Sequence, residues 1–103
     1  MNLPAITTGT DKQATWATDI RSKAITEMRD VYTQNGHDLD TEILDRADDP
    51  TLTPQQTEMA RGLVNILNVT DAKFWIDNRD LGLRGLHQMI ARGNITLPTG
   101  VTQ

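Results

Sequence analysis

Two histidines, His37 and His87, are the only side chains in this sequence whose ordinary pKa lets them exchange a proton near neutral pH. Neither stands in a pattern with a serine nucleophile. The absence of cysteine removes thiolate nucleophiles, disulfides and thiolate metal sites together. The two histidines fall on different predicted elements, not at the i, i+4 spacing that sets two imidazoles on one helix face for zinc. Both read as ordinary surface or half-buried residues. The run Asp38-Leu39-Asp40-Thr41-Glu42 imitates the start of a calcium loop, but the glycine needed for that loop's sharp turn is missing at its offset. The seven glycines form neither the phosphate-cradling G-x-x-x-x-G-K-[ST] pattern nor G-x-G-x-x-G after a strand. The expectation is a protein that is not an enzyme, with no catalytic centre, no metal site and no cofactor.

What the charged residues do offer is a concentration of carboxylate. Asp38, Asp40, Glu42, Asp45, Asp48 and Asp49, offset only by Arg46, leave residues 38–49 at −5 within a chain of formal net charge −4. Such a patch reads either as a solvated helix face with two capping acids or as a surface that fits a basic groove by imitating phosphates. These six residues are the candidate partner-binding site. A pI near 4.9 opposes attraction to phosphate backbones, so the expected partner is a protein and not DNA or RNA. A second polar group, Asp77-Asn78-Arg79-Asp80, follows the most apolar stretch and reads as a helix-end hydrogen-bond network, with Arg79 and Asp77 fixing the next turn.

Helices must position these groups. Thr10 and Gln13 make a capping box that starts a first helix. Its apolar stripe runs through Ala17, Ile20, Ala24, Met28 and Val31, widened by Trp16, Ile25 and Tyr32, and Asn35-Gly36 ends it. Asp19 and Lys23 on this helix stand four apart, in the order that favours a surface pair. Residues 37–49 carry Leu39, Ile43, Leu44 and Ala47 at helical spacing, which predicts a short acidic helix capped by Asp38 or Asp40 and stopped before Pro50. Thr53-Pro54-Gln55-Gln56 is the clearest start signal, followed by Met59, Leu63, Ile66 and Leu67 on a buried face. Thr70-Asp71 caps a helix over 72–78 whose Phe74, Trp75 and Ile76 point in different directions and so require a central position. Leu83, Leu86, Met89 and Ile90 mark a last helix, closed by Gly93-Asn94.

The reading is all-α: one domain over 1–103, a compact irregular bundle of about five helices, with a flexible arm at about 1–9 and a frayed tail at about 98–103. A domain of this length has one modest core. The N-terminus has no charged start followed by an apolar run, and no stretch reaches the ~20 apolar residues of a membrane span. The expected place is therefore the cytoplasm, with no membrane contact, and the expected state a monomer or homodimer.

Two segments carry a resemblance: Gly9-Thr10-Asp11-Lys12-Gln13 with Trp16-Ala17 and Ile20-Arg21, and later Ala72-Lys73-Phe74-Trp75-Ile76-Asp77-Asn78-Arg79. Together they resemble a family of small proteins and domains borne by bacteriophages and other mobile elements, with the patterns G-[ST]-x-K-Q-x-x-W-A-x-x-I-R and W-I-D-x-R. The likeness extends to an anti-CRISPR protein acting against a type I system. It covers about a quarter of the chain. It implies a phage or prophage origin, a bacterial host cell, and a role in blocking a CRISPR-Cas effector complex by occluding a nucleic-acid or partner surface. The alternative is a structural or regulatory accessory module of the mobile element, acting by self-association or docking through the Trp75 region. Gln13, Trp16, Ile20 and Trp75 are expected to dock the first helix against the tryptophan helix, with Lys12, Arg21, Asp77 and Arg79 completing a polar seam. The acidic segment lies outside both motifs.

Overall fold

The computed structural model describes residues 3–98. Five α-helices follow in order, α1 (Asp11–Gln34), α2 (Leu39–Glu42), α3 (Pro54–Leu67), α4 (Ala72–Asp77) and α5 (Gly82–Ala91), with one 3₁₀ turn at Leu44–Arg46. No strand occurs among the described residues. The 24 residues of α1 span about 36 Å at 1.5 Å each and set the long dimension of 41 Å. α1 packs along α4 and α5, and α3 lies against α5 and the 3₁₀ turn. The molecule is thus an all-α bundle.

Local chemistry explains the helix starts. At α1 the Gln13 N–H donates to Thr10 Oγ1 (3.2 Å) and the Thr10 N–H donates to Gln13 Oε1 (2.9 Å). Thr53 and Gln56 repeat this reciprocal cap at α3, with Pro54 in the first turn. Asp71 caps α4 by accepting from the Lys73 N–H, 3.1 Å. Small residues let the elements approach closely, since Ala17 and Ala72 share the core with Leu63, Leu67, Leu83 and Leu86, and Ala60 is fully buried too. Gly62, inside α3, costs about 1 kcal/mol of helix propensity relative to alanine. Its missing Cβ is what admits the His87 ring, because a methyl there would lie 2.7 Å from the imidazole.

Two elements differ from the sequence expectation. The arm is docked. Ile6 is buried, the Thr7 N–H donates to the Thr70 carbonyl (3.1 Å), and Thr8 Oγ1 donates to Asp71 Oδ1 (3.0 Å) while accepting from the Ala72 N–H (3.1 Å). A polar-looking segment is held here because it supplies hydrogen bonds that the α3–α4 connection needs. Met1 and Asn2 of that arm, and all of the expected frayed tail except Pro98, lie outside the described residues. The single helix expected over 37–49 is split at Ile43, whose φ of −124° is not helical. Leu39 and Leu44 would stand about 140° apart on one regular helix, and the break turns both into the core, where they are 1% and 3% exposed.

Gly9 sits at φ +88°, and a Cβ there would meet Gln13 Oε1 at 2.8 Å and the Ala72 side chain at 3.3 Å. Gly9→Ala is therefore expected to lower the unfolding free energy by about 1–2 kcal/mol, measured by urea denaturation followed by circular dichroism.

Candidate interaction surfaces

Four of the six carboxylates of the acidic segment are engaged inside the molecule. Asp38 caps α2 by accepting from the Asp40 N–H, 3.1 Å. Asp40 receives both Nε and Nη2 of Arg29 at 2.9 Å, a bidentate pair that ties α2 to α1. Glu42 accepts from the Asp38 backbone N–H and faces His37 Nδ1 at 3.1 Å, and these two contacts hold its carboxyl below the usual range. Asp49 takes the Thr51 N–H (2.8 Å) and hydroxyl (2.6 Å) on Oδ1, and Arg46 Nε on Oδ2 (2.9 Å). The Thr51 hydroxyl and N–H, then Arg46, pull Asp49 down to about 2.

Asp45 and Asp48 remain directed outward. Asp45 is exposed and enters none of the ion pairs among the described residues. Asp48 is 97% exposed and lies 3.7 Å from Arg61, whose Nε donates instead to the Ala47 carbonyl. The segment is thus a wedge tied to α1 through Asp40 and locked within itself by Arg46–Asp49, with Asp45 unpaired among the described residues and the exposed Asp48 in a long contact with Arg61 at its outer turn.

The expected tryptophan seam forms differently. Trp75 is fully buried, donates its Nε1–H to the Val69 carbonyl (2.9 Å) and meets Phe74 edge-on at 5.5 Å. Phe74 is also buried, so the Trp75 region is core and offers no docking surface. Trp16, expected to dock α1 on α4, is 47% exposed and lies 5.4 Å beneath the Arg79 guanidinium. The buried line of α1 runs through Ala17, Arg21, Ala24 and Ile25, which leaves Trp16 and Val31 at its edge. Arg21 turns inward to donate to the carbonyls of Pro4 (2.8 Å) and Leu67 (3.4 Å), and its burial lowers its pKa. Asp77 pairs with Lys73 on its own helix, and this contact raises the lysine's pKa. Arg79 donates to the Ile76 carbonyl at 2.8 Å, closing the end of α4 as expected, without Asp77. On α1, Lys23 lies 3.9 Å from Glu27 rather than with Asp19.

The histidines do not converge, and among the described residues no three His, Asp or Glu side chains gather into a group able to hold a metal ion. No helix among the described residues is long and apolar enough to cross a membrane. A shallow groove of about 590 Å³ between α1, α3 and α5 is bordered by Met28, Tyr32, Met59 and Arg84. Among the described residues only the edge residues Trp16, Val31 and Leu81 stand out as large hydrophobics in solvent. For Trp16 and Val31 the signal in the sequence was the width of the α1 stripe, broader than one packed face requires; Leu81 had none.

Removing the Arg21 guanidinium by Arg21→Met should cost about 1–3 kcal/mol, because two inward carbonyls lose their donor; urea denaturation checks this, with faster amide exchange at Ile6 and Thr7 as the local sign. Asp49 should titrate with a midpoint of about 2, against 3.8 for an ordinary aspartate. Its contribution to stability is complete above the unfolded-state pKa and is lost as pH falls through about 2. NMR titration of the side-chain carboxyl should find this midpoint, and Thr51→Val should raise it.

A comparison with protein families, curated proteins and solved structures finds none that matches this chain.

Proposed function

We propose that this chain is a non-enzymatic interaction protein of phage or mobile-element origin that inhibits a CRISPR-Cas effector. In this reading the wedge at 38–49 lays carboxylates on a basic surface that otherwise holds nucleic acid. The observation that carries it is the outward placement of Asp45 and Asp48 on a segment of net charge −5, braced by the Arg29–Asp40 and Arg46–Asp49 pairs. A braced segment loses little conformational freedom on binding, and a local field of one sign speeds encounter with a basic partner. The resemblance of the Gly9–Arg21 and Ala72–Arg79 segments to phage-borne proteins supplies the class of target. In the described structure those segments supply the Thr10–Gln13 cap and the buried Ala17, Arg21, Ala72, Phe74 and Trp75, and this reading gives the contact to the wedge.

A second reading, an accessory module of the mobile element that acts through self-association or docking, draws on the exposed Trp16, Val31 and Leu81 edge. It does not use Trp75, which is buried.

The test separates charge from fold. Asp45→Lys with Asp48→Lys should reduce protection in a phage-plating or plasmid-interference assay by on the order of tenfold or more, with the thermal melt unchanged. Asp11→Lys with Asp30→Lys, an equal charge change at two exposed sites on α1, should leave protection intact. Protection that survives the Asp45 and Asp48 reversal would sink the wedge mechanism.

A further inference from the structure

Along one edge of the molecule α1 and the α4–α5 turn enclose a trough. Two depressions, of about 590 and 460 Å³, run into one another and share Ala24, Glu27, Leu81 and Gly82. All three large hydrophobic side chains that stand exposed among the described residues border it: Trp16 at one end, Val31 at the other and Leu81 between them. Single exposed apolar residues need no explanation, but three of them gathered along one trough, interspersed with charges, make a contact surface. Tryptophan and arginine, stacked here as Trp16 and Arg79, are the residue types that dominate binding hot spots.

We propose that this edge is the two-fold contact of a weak homodimer, in which the α1 helices of two copies lie antiparallel about Lys23 and Ala24. Charge selects a second copy as the occupant. The trough is bordered by three acids, Asp19, Glu27 and Asp80, and three bases, Lys23, Arg79 and Arg84, so it is balanced although the chain carries −4. Two copies can therefore meet here without the repulsion their acidic segments would impose.

The spacing along α1 is self-complementary. Trp16, Ile20, Lys23, Glu27 and Val31 share one side of the helix. An antiparallel pairing centred between residues 23 and 24 sets each Trp16 against the Val31 of the other copy, as a two-fold contact demands. Lys23 then comes within one turn of the second copy's Glu27. Arg29, which anchors the wedge through Asp40, projects from the opposite side of α1, so both acidic segments remain outside the contact. The inference stands apart from the inhibitory reading. A contact built on one helix pair falls at the small end of specific interfaces, below about 1,200 Å² in total, which makes the dimer reversible.

Sedimentation from micromolar to millimolar concentration should show a monomer–dimer equilibrium. Trp16 should emit at shorter wavelength in the dimer, while buried Trp75 stays constant. Trp16→Lys and Val31→Glu should each give a monomer with unchanged circular dichroism, and the two substitutions together should restore the dimer through the new charge pair. The chain has no cysteine, so a single introduced one reports geometry cleanly. Lys23→Cys should form a disulfide-linked dimer on mild oxidation, and Ser22→Cys, a quarter turn round the helix, should not. A monomer throughout, a dimer that Trp16→Lys leaves intact, or equal cross-linking at both cysteines would overturn the proposal.

Discussion

The connection between α3 and α4 is half-buried around the fully buried Val69, and the carbonyls turned inward there must find donors away from water. Three parts of the chain supply them, two of them distant: Arg21 from α1 reaches the Leu67 carbonyl, Trp75 from the adjoining α4 reaches that of Val69, and Thr7 from the N-terminal segment reaches that of Thr70. Each donor is thereby held in place by the group it satisfies. An unpaired carbonyl here would cost about as much as a lost hydrogen bond, so these contacts set the position of the arm, the inward turn of Arg21 and the depth of Trp75 together. Arg21 can be buried without a carboxylate because the end of α3 presents unpaired carbonyls and the negative end of the helix dipole.

Once α1, α3 and α4 are joined this way, the acidic segment is tied to the scaffold and locked within itself. Leu39 and Leu44 enter the core, Arg29 grips Asp40 and Arg46 grips Asp49. Carboxylates that look equivalent in the sequence then separate into two kinds. Those near the scaffold serve as caps and ion-pair partners, whereas those at the outer turn face solvent. A pair such as Arg29 with Asp40, partly sheltered and bidentate, organises the backbone more than an exposed monodentate contact such as Lys23 with Glu27.

α1 shows the same separation on a larger scale. It carries more apolar residues than one packed face can use: its neighbours bury the line from Ala17 to Ile25 fully and leave Ile20, Met28 and Tyr32 half-buried beside it. Trp16 and Val31 are left at the boundary, where the α4–α5 turn brings Leu81 and Arg79 beside them. The surplus is therefore concentrated along one edge.

Helix starts and stops were legible in the sequence because their causes are local. The boxes at Thr10 and Thr53, the cap at Asp71 and the stop at Asn35-Gly36 depend on residues within one turn of each other, and all four occur where their types predict. The all-α class follows from the same periodicity. What only the tertiary structure decided was how side chains of like type divide between core, scaffold and solvent. Trp16 and Trp75, Arg21 and Arg79, Asp40 and Asp45 are chemically alike in pairs, yet one member of each is held by the fold and the other faces outward or lies at its edge. Their fates depend on partners brought near by folding, such as Val69 for Trp75 and Leu67 for Arg21. The sequence places Trp75 six residues from Val69, but Arg21 lies 46 residues from Leu67, and no local pattern encodes a contact across that distance.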